Sequence, residues 1–497
     1  MGSSFLTSCA HPAGTTIKPS QSVSGNGGYF ETNFGISKEL ISKVLRKSVE
    51  SGGDFGEIFF QHKVSDFVGF EDGQVNRAYA QVDLGAGIRV LKGEQTGYAF
   101  TEELTEESLL RAAITASTIA AGKANGTIAS TFKEVEVKRY YPQKPLWIDI
   151  APQEKIRIAG AVGKKIQDAD KRVIKASTYF GDSDEAVLIA NTEGVFAEDM
   201  RPMTIMYANC AAMQDGKIES NGFSRSARRG VDLYTEELMT HIADEAVKRT
   251  MILFDATVPP AGEMEVVLAP ASSGILLHEA MGHGFEADFN RKKTSIFSSM
   301  MNQKVAENFV TIADTGLEEN ARGALNVDDE GVPAQNTVLV QNGKLVSYLH
   351  DRISSKYYKV PPTGNGRRED FRCTPMPRMR VTTMENGPHT HDDIISSVKK
   401  GLYAVDFSNG EVAIGAGDYS FYVKTGYLIE NGKLTAPVKD VNLIGNGPDT
   451  LSKIVMVGND KEIDLGTWTC GKDGQSVPVG LGLPTIKVSS ITVGGVN

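Results

Sequence analysis

The residues best suited to chemistry lie in one short run, residues 274–289. His278 and His283 bracket Glu279 there, in a chain that has only eight histidines. Two imidazoles can bind a borderline-soft cation such as zinc, and the carboxylate beside the first can take up and release a proton. The run therefore indicates a candidate metal site with an adjacent acid–base group.

The spacing of the two histidines constrains the helix that carries them. In the metalloprotease signature, the two zinc-binding histidines are four residues apart and a Glu between them is the general base. His278 and His283 are five residues apart, which leaves their side chains ~140° apart on a regular α-helix. A wider π-type turn can bring both to one ion, and Gly282 and Gly284 can absorb the distortion. The sequence therefore predicts a departure from α-helical geometry between Glu279 and Gly284.

A third candidate ligand, Cys470, lies near the end of the chain in a glycine-containing segment. Two imidazoles and one thiolate form a three-ligand set that leaves a fourth position open, as catalytic zinc requires. Taken alone, the histidines also fit a packed or helix-capping role, and Cys470 also fits a small buried thiol. The residues by themselves leave both interpretations open.

Several separate motifs, in order along the chain, resemble the TldD/PmbA family and specifically its TldD-type, metal-binding member. The segments that carry the resemblance are His278–Lys292, Asp328–Gly331, Pro362–Arg368, Pro375–Met379, Met456–Asp460 and Cys470–Lys472. The resemblance covers about residues 260–497 and is weaker in the N-terminal half.

The resemblance implies a zinc-dependent peptidase that hydrolyses peptides or unfolded protein segments. Its zinc ligands would be His278, His283 and Cys470, and Glu279 would be the catalytic base. It also implies a dimer, with either an identical chain or a PmbA-type subunit as the partner. PmbA-type relatives lack this metal set, so the complete set here favours the catalytic branch of the family.

Two other functions remain open. The chain could be a non-catalytic regulatory or binding subunit of a TldD/PmbA-type complex, which metal content would distinguish from a metallopeptidase. It could also be a zinc hydrolase that does not cleave proteins, such as an amidase. A comparison of peptide and amide substrates would separate that function from peptidase activity.

Two arginines are candidate substrate-binding residues. Arg367 or Arg368 can pair with a peptide carboxylate or polarise a scissile carbonyl group. A structural ion pair with Glu369 or Asp370 would use the same guanidinium groups, and this alternative stays open.

Three further residues follow the histidine run closely. Asp288, Asn290 and Arg291 are near enough in sequence to orient His278 or His283. They are equally compatible with a solvated helix end.

Composition narrows the remaining classes of function. A formal net charge of −10 argues against direct nucleic-acid binding, and the short basic cluster Arg225–Arg229 is interpreted as a solvated strand end. No run of ~18 uncharged apolar residues occurs, so no membrane span is predicted. Four cysteines without paired spacing favour a reducing compartment, which predicts the cytoplasm.

The first 36 residues are rich in Ser, Thr and Gly and lack an apolar period, which predicts a disordered tail. Leu6–Cys9 resembles a bacterial lipoprotein cleavage box. If it is the remnant of such a signal, the chain is exported or lipid-anchored, although the charged and apolar regions of a signal are missing.

Periodicity predicts an α+β fold. Helices are expected near residues 38–49, 106–121, 152–168 and 234–253, with strands and hairpins between them. After Pro259-Pro260 the chain is mostly β, with Asn-Gly hairpin turns. We therefore expect an N-terminal helix-and-sheet domain at 37–258, with a candidate subdivision near 122–150. A β-rich catalytic domain that carries the metal-binding helix is expected at 259–497.

Overall fold

A computed structural model describes residues 28–119, 128–142 and 144–495 of the chain. Its N-terminal part is built on one seven-stranded sheet. From one edge to the other the strands are Gln95–Thr101, Gln74–Lys92, Phe55–Glu71, Val173–Asn191, Val195–Gln214 and then Lys133–Glu134, with Lys217–Ala227 also paired to Val195–Gln214. The antiparallel hairpins of this sheet are joined by tight turns, as at Asp72-Gly73, where both residues have positive φ.

Helices pack on this sheet, and all but the first lie at the places that the apolar periodicity predicts. They are Tyr29–Phe34, Lys38–Val49, Glu106–Ser117, Pro152–Ala169 and Glu236–Met251. The side chains of Ser37, Thr105 and Thr235 accept hydrogen bonds from backbone N–H groups in the first turns of their helices. Short 3₁₀ turns lie at Trp147–Asp149, Val231–Leu233, Ile252–Phe254, Ala271–Gly274 and His283–Phe285.

The prediction of a disordered tail over residues 1–36 is wrong for the end of that range. Tyr29–Phe34 form a helix, and the Phe30 side chain is fully buried with its ring 5.6 Å from that of Phe60. A helix of six residues is too short to show an apolar period, which is why the sequence pattern missed it. Leu6–Cys9 and the rest of the tail up to residue 27 lie outside the described residues.

The larger C-terminal sheet closes on itself. Its ring of hydrogen-bonded neighbours consists of Lys400–Ala413, Gly262–Leu268, Ile486–Gly495, Val441–Asn446 and Asp418–Glu430, and the last strand pairs back to the first. Lys433–Val438 and Ile454–Val457 add to this ring at its edges. The strand Gly262–Leu268 leads directly into the segment that carries His278.

A second C-terminal sheet has six strands, which in spatial order are Lys344–Leu345, Asn336–Gln341, Ile312–Thr315, Val381–Met384, Gly480–Leu483 and Glu462–Asp464. Two small hairpins complete the β structure, Gly366–Arg367 with Met376–Pro377 and Thr469–Lys472 with Gln475–Pro478. Short helices lie at Ala287–Arg291, Arg352–Tyr358, His391–Ser396 and Gly447–Ser452. The predicted fold class, α+β with a β-rich C-terminal part, is confirmed, whereas the domain boundaries drawn from the sequence stay predictions.

A buried ion-pair network joins the N-terminal sheet to the C-terminal part. Arg89 Nη2 donates to Glu57 Oε2 at 2.8 Å and to Glu330 Oε1 at 2.7 Å, and Arg368 Nη2 donates to the other oxygen of Glu57 at 2.5 Å. All four side chains are 1% exposed. Because charges this deeply buried are tolerated only when paired, the network fixes how the two parts meet.

No helix among the described residues is both long and apolar enough to cross a membrane.

Candidate metal centre

His278 lies in a π-helix, Leu277–Gly282, which passes into a single 3₁₀ turn at His283–Phe285. The backbone N–H of His283 donates to the carbonyl oxygen of His278, five residues earlier. This is the hydrogen bond that defines a π-helix, and here it directly links the two candidate ligands. The departure from α geometry that the five-residue spacing predicts is confirmed.

The two glycines beside His283 serve a different purpose from the one predicted. Gly282 has ordinary helical angles, φ −57° and ψ −50°, so it does not absorb a backbone distortion. A Cβ on Gly282 would instead lie 2.0 Å from Met379 Sδ, and one on Gly284 would lie 2.6 Å from Phe297 Cδ2. The glycines allow neighbouring side chains to pack directly against the helix.

Cys470 reaches the two histidines from the hairpin strand Thr469–Lys472. One donor atom from each of His278, His283 and Cys470 lies within 4.8 Å of the others. Cys470 Sγ is 3.4 Å from His283 Nε2, and the two imidazole rings are 5.0 Å apart at their centroids and nearly perpendicular. All three side chains are buried. The structure therefore brings together the three residues that the sequence singles out as ligands.

The chemistry of this donor set fits a metal ion. Burial raises the pKa of the Cys470 thiol, but the two imidazoles outweigh burial and hold that pKa well below its ordinary value. A thiolate is the form of cysteine that binds metals. One sulfur and two imidazole nitrogens suit zinc rather than magnesium or calcium, which prefer oxygen ligands. His278, His283 and Cys470 are thus the residues that could hold a metal.

Glu286 orients His283, a role that no pattern in the sequence predicted. Its Oε2 atom lies 3.0 Å from His283 Nδ1, so that Nε2 of the same ring is left to face Cys470. Histidine ligands are commonly held in this way by a carboxylate on the second ring nitrogen. The only signal in the sequence is an acidic residue three positions after a candidate ligand, which many surface helices also show.

Lys472 completes this support from the strand that carries Cys470. Its Nζ atom lies 3.0 Å from Glu286 Oε2 and 2.9 Å from Asp288 Oδ1. Asp288 is therefore linked to His283 only indirectly, through Lys472 and Glu286, whereas Asn290 donates to the carbonyl oxygens of Gly284 and Glu286. Each of these contacts fixes the backbone or the charge around His283.

Arg291, the third residue predicted to orient the histidines, contacts neither of them. It pairs with Glu94 of the N-terminal part and lies over the Tyr357 ring. Its side chain is mostly buried rather than solvated.

Glu279 projects beside the ligands but is not enclosed with them. Its side chain is 16% exposed, and its Oε2 atom lies 4.0 Å from His283 Nε2. Burial raises the pKa of this carboxyl group, and the nearby imidazoles oppose that shift without cancelling it. A carboxylate with a raised pKa next to a candidate metal position can act as a general base.

A cleft of about 880 Å³ opens onto His278 and Glu279. Both parts of the chain line it. The N-terminal side contributes the stretch Asn221–Arg225 and His241, and the C-terminal side contributes the stretches Ala269–Ser272 and Glu462–Thr469. The candidate site is therefore built at the junction of the two parts and is open to an outside ligand.

Arg367 and Arg368, the predicted substrate-binding residues, are not in this cleft. Arg367 donates to the carbonyl oxygens of Met379 and Pro478, and Arg368 belongs to the buried network around Glu57. Both side chains are buried and line a separate, smaller cavity. The structure gives neither residue access to a carbonyl group bound beside Glu279.

The chain is similar to known proteins along nearly its whole length. Three family models match in order: "PmbA/TldA metallopeptidase domain 1" at residues 56–120, the "central domain" at 145–254 and the "C-terminal domain" at 261–495. The metalloprotease TldD homolog of Haemophilus influenzae is 40% identical over 451 residues, which are 89% of this chain and 93% of that protein. The zinc metalloprotease TldD homolog of Saccharolobus solfataricus is 27% identical over 91% of this chain and 99% of its own length.

The fold also matches solved structures. TldE from Thermococcus kodakarensis superimposes with a TM-score of 0.72 at 18% sequence identity, covering 92% of this chain and all of that one. The family models and the named relatives place the protein among the metallopeptidases. The chain belongs to the TldD/PmbA family, and the prediction that it is a protease is supported by the names of its curated relatives.

Proposed function

We propose that this chain is a zinc-dependent peptidase in which His278, His283 and Cys470 hold the ion and Glu279 is the general base. The observation that carries the proposal is the convergence of three zinc-type donor atoms within 4.8 Å of one another, beside an acidic residue in an open cleft. The printed name of the Saccharolobus solfataricus relative, a zinc metalloprotease, supports the choice of metal.

Zinc, when bound, supplies Lewis-acid chemistry that acidifies water and polarises a carbonyl group. The residues of the chain supply the rest. Glu279 accepts a proton at its carboxylate from the attacking water and returns it to the nitrogen of the leaving amine. Glu286 fixes the His283 ring by accepting from Nδ1, and the charge of Lys472 keeps Glu286 ionised for that task.

The shape of the cleft supports peptides or unfolded segments as substrates. At about 880 Å³ it is the size of a site for a small ligand rather than for a folded domain. A folded protein would have to expose an extended segment to reach Glu279. The substrate class is therefore a short or unfolded polypeptide.

We also propose that the chain works with a second subunit, either an identical chain or a PmbA-type partner. The support is the first half of the strand Gln74–Lys92, in which every residue from Gln74 to Val82 is exposed. Tyr79 and Val82 are 47% and 60% exposed on it, which is unusual for apolar side chains of a sheet. Light scattering of the purified chain, alone and mixed with a PmbA-type protein, tests this.

The three described cysteines are all free, which supports the proposed cytoplasmic location.

Single substitutions separate the proposed roles. Cys470→Ala and His283→Ala are expected to lose zinc and activity together, because they remove ligands. Glu279→Gln is expected to keep zinc and to lose roughly 10²–10⁴-fold in kcat, because it removes only the proton acceptor. Cys373→Ala, which changes a free cysteine outside the site, is the matched control.

The measurements are metal content by elemental analysis and peptide cleavage by chromatography. Near-normal turnover in Glu279→Gln would show that the base is another group. Full activity in a metal-free Cys470→Ala protein would overturn the metal assignment. Absence of cleavage by the zinc-loaded wild-type chain would favour the regulatory-subunit alternative.

A further inference from the structure

A second cavity, of about 220 Å³, lies on the far side of the hairpin that carries Cys470. Thr469, Ser476, Val477 and Pro478 of that hairpin line it, and Thr469 also lines the cleft that contains Glu279. The two spaces are thus neighbours that share one wall. No step of the proposed mechanism uses the second cavity.

The lining of this cavity is strongly cationic, although the whole chain carries a net charge of −10. Its cations are Lys63, Arg201, Arg228, Arg322, Arg367 and Arg368, and its acids are Glu185, Asp329 and Glu369. Arg201 pairs with Asp329, and Arg368 pairs with Glu57. The other four cations form no salt bridge within the part of the chain that the structure describes.

Arg228 is the least satisfied of these groups. It is 3% exposed, and its Nε atom is buried without a hydrogen-bond partner. Its guanidinium group lies over the Tyr141 ring, 5.2 Å from the centroid, and donates no hydrogen bond to any described residue. Burial accordingly lowers its pKa. A buried cation without a hydrogen-bonded partner is costly for a fold to keep, so the charge of Arg228 favours an anion bound nearby.

Arg322 connects this group to the cleft. It donates to Trp468 O at 2.8 Å, to Ser226 Oγ at 3.0 Å and to Thr469 Oγ1 at 3.1 Å, all of which are uncharged acceptors. Burial, together with the charge of Arg228, lowers its pKa to about 10. Its positive charge is therefore also left uncompensated at the shared wall.

Arg225 stands on the cleft side of the same wall. It belongs to the strand Lys217–Ala227, lines the cleft, and has a buried Nε atom with no hydrogen-bond partner among the described residues. The basic cluster that the sequence suggested was a solvated strand end is therefore largely buried. Of its arginines, only Arg229 pairs at the surface, with Asp232.

We propose that Arg225 is a carboxylate-binding subsite of the cleft, strengthened by the unpaired charges of Arg228 and Arg322 behind the shared wall, and that this subsite selects peptides carrying a negative charge beyond the cleaved bond. Guanidinium groups pair with carboxylates through two parallel hydrogen bonds, which gives direction as well as attraction. The carboxylate is either the C-terminus of the peptide or an Asp or Glu side chain. This inference rests on the proposed peptidase function, because a peptide substrate supplies the carboxylate.

Four matched peptides test the subsite with the zinc-loaded protein. They share one sequence and differ in having a free or amidated C-terminus and a Glu or a Gln in the segment after the cleaved bond. Charged hydrogen-bond partners predict a KM about tenfold lower or more for the form that the subsite binds. A preference for the free C-terminus identifies the α-carboxylate, and a preference for Glu identifies the side chain. Equal KM values for all four peptides would overturn the proposal.

Variants connect the preference to these residues. In Arg228→Gln and Arg225→Gln, the KM of the preferred peptide is expected to rise toward that of its neutral counterpart, whereas Arg228→Lys keeps part of the preference. Arg229→Gln, a change to a partly exposed neighbour that lines neither cavity, is the control and keeps it fully. A charge preference that survives in both Gln variants would overturn the assignment.

A direct binding measurement distinguishes failure of the subsite from failure of the proposed function. Fluorescence anisotropy with the labelled charged and neutral peptides on zinc-loaded Glu279→Gln protein reports affinity without turnover. If the wild-type chain cleaves none of the peptides, the proposed function fails. If it cleaves all four, and both its KM values and the anisotropy show no charge preference, only the subsite fails.

Discussion

At the scale of single residues, two carboxylates beside the metal centre have opposite surroundings. Glu279 borders the cleft, and burial raises its pKa. Glu286 is fully buried, yet Lys472 and His283 outweigh its burial and lower its pKa to about 2. The first carboxylate can therefore exchange a proton, whereas the second stays ionised and holds an imidazole. Environments that separate the pKa values of two acids in this way commonly divide their tasks.

Glu286→Gln is expected to weaken metal binding about 10–100-fold, because it removes the ionised acceptor that holds Nδ1 of His283. The measurement is competition for zinc with a chelator of known affinity. Glu307→Gln, which alters an exposed ion pair with Lys304, is the matched control. Unchanged zinc affinity in Glu286→Gln would mean that the ring is held by its packing alone.

Residue types and spacing identified the ligands and the candidate base, but they did not identify what supports them. His278, His283 and Glu279 are close in sequence, and Cys470 was placed with them by family resemblance. Glu286 can hold the His283 ring because it pairs with Lys472, which lies on a strand far along the chain. A contact of that kind depends on the closed fold, and no local pattern encodes it. The same reason explains why Arg367 and Arg368 were predicted to bind substrate, although the structure uses them internally.

At the scale of elements, the π-helix allows His278 and His283, which are five residues apart, to lie beside one metal position. The hydrogen bond from the backbone N–H of His283 to the carbonyl oxygen of His278 places both imidazole rings on one side of the helix. Sequence spacing predicted this departure because two ligands must converge on one ion. It did not predict the reason for the glycines, since close packing by Met379 and Phe297 involves distant segments. Strand pairing was hardest to predict, as in the ring that closes between Lys400–Ala413 and Asp418–Glu430.

Gly282→Ala is expected to destabilise the protein by about 1–3 kcal/mol and to reduce zinc occupancy, because the new methyl group would lie 2.0 Å from Met379 Sδ. Chemical denaturation and metal analysis measure the two effects. Gly471→Ala is the matched control, since a Cβ there meets no atom within 4 Å although Cys470 is its neighbour. Equal stability of the two variants would contradict the packing role of Gly282.

At the scale of the whole molecule, the site depends on the meeting of two parts. The cleft takes one wall from the N-terminal sheet and the other from the C-terminal part. The network of Glu57, Arg89, Glu330 and Arg368 holds these walls together. Helical periods and turn residues predicted the α+β class and the long helices Lys38–Val49, Glu106–Ser117, Pro152–Ala169 and Glu236–Met251, because those signals are local. How the two parts dock could not be predicted, because the pairs that cross between them, Arg89–Glu330 and Arg368–Glu57, join residues 241 and 311 positions apart.

Arg89→Met is expected to lower the free energy of unfolding by about 3–5 kcal/mol, because it leaves Glu57 and Glu330 buried with one cation fewer. Denaturant titration measures the change. Arg111→Gln, at an exposed ion pair with Glu107, is the control and is expected to change stability by less than about 1 kcal/mol. A similar small effect of Arg89→Met would show that the network does not hold the two parts together.

Metal content coupled to activity tests the central claim most directly. The purified chain is analysed for metals, assayed on an unfolded peptide, treated with a chelator and assayed again after zinc is restored. The three-ligand site predicts about one zinc per chain, loss of cleavage when the ion is removed, and recovery when it returns. Full-rate cleavage by metal-free protein would contradict the claim.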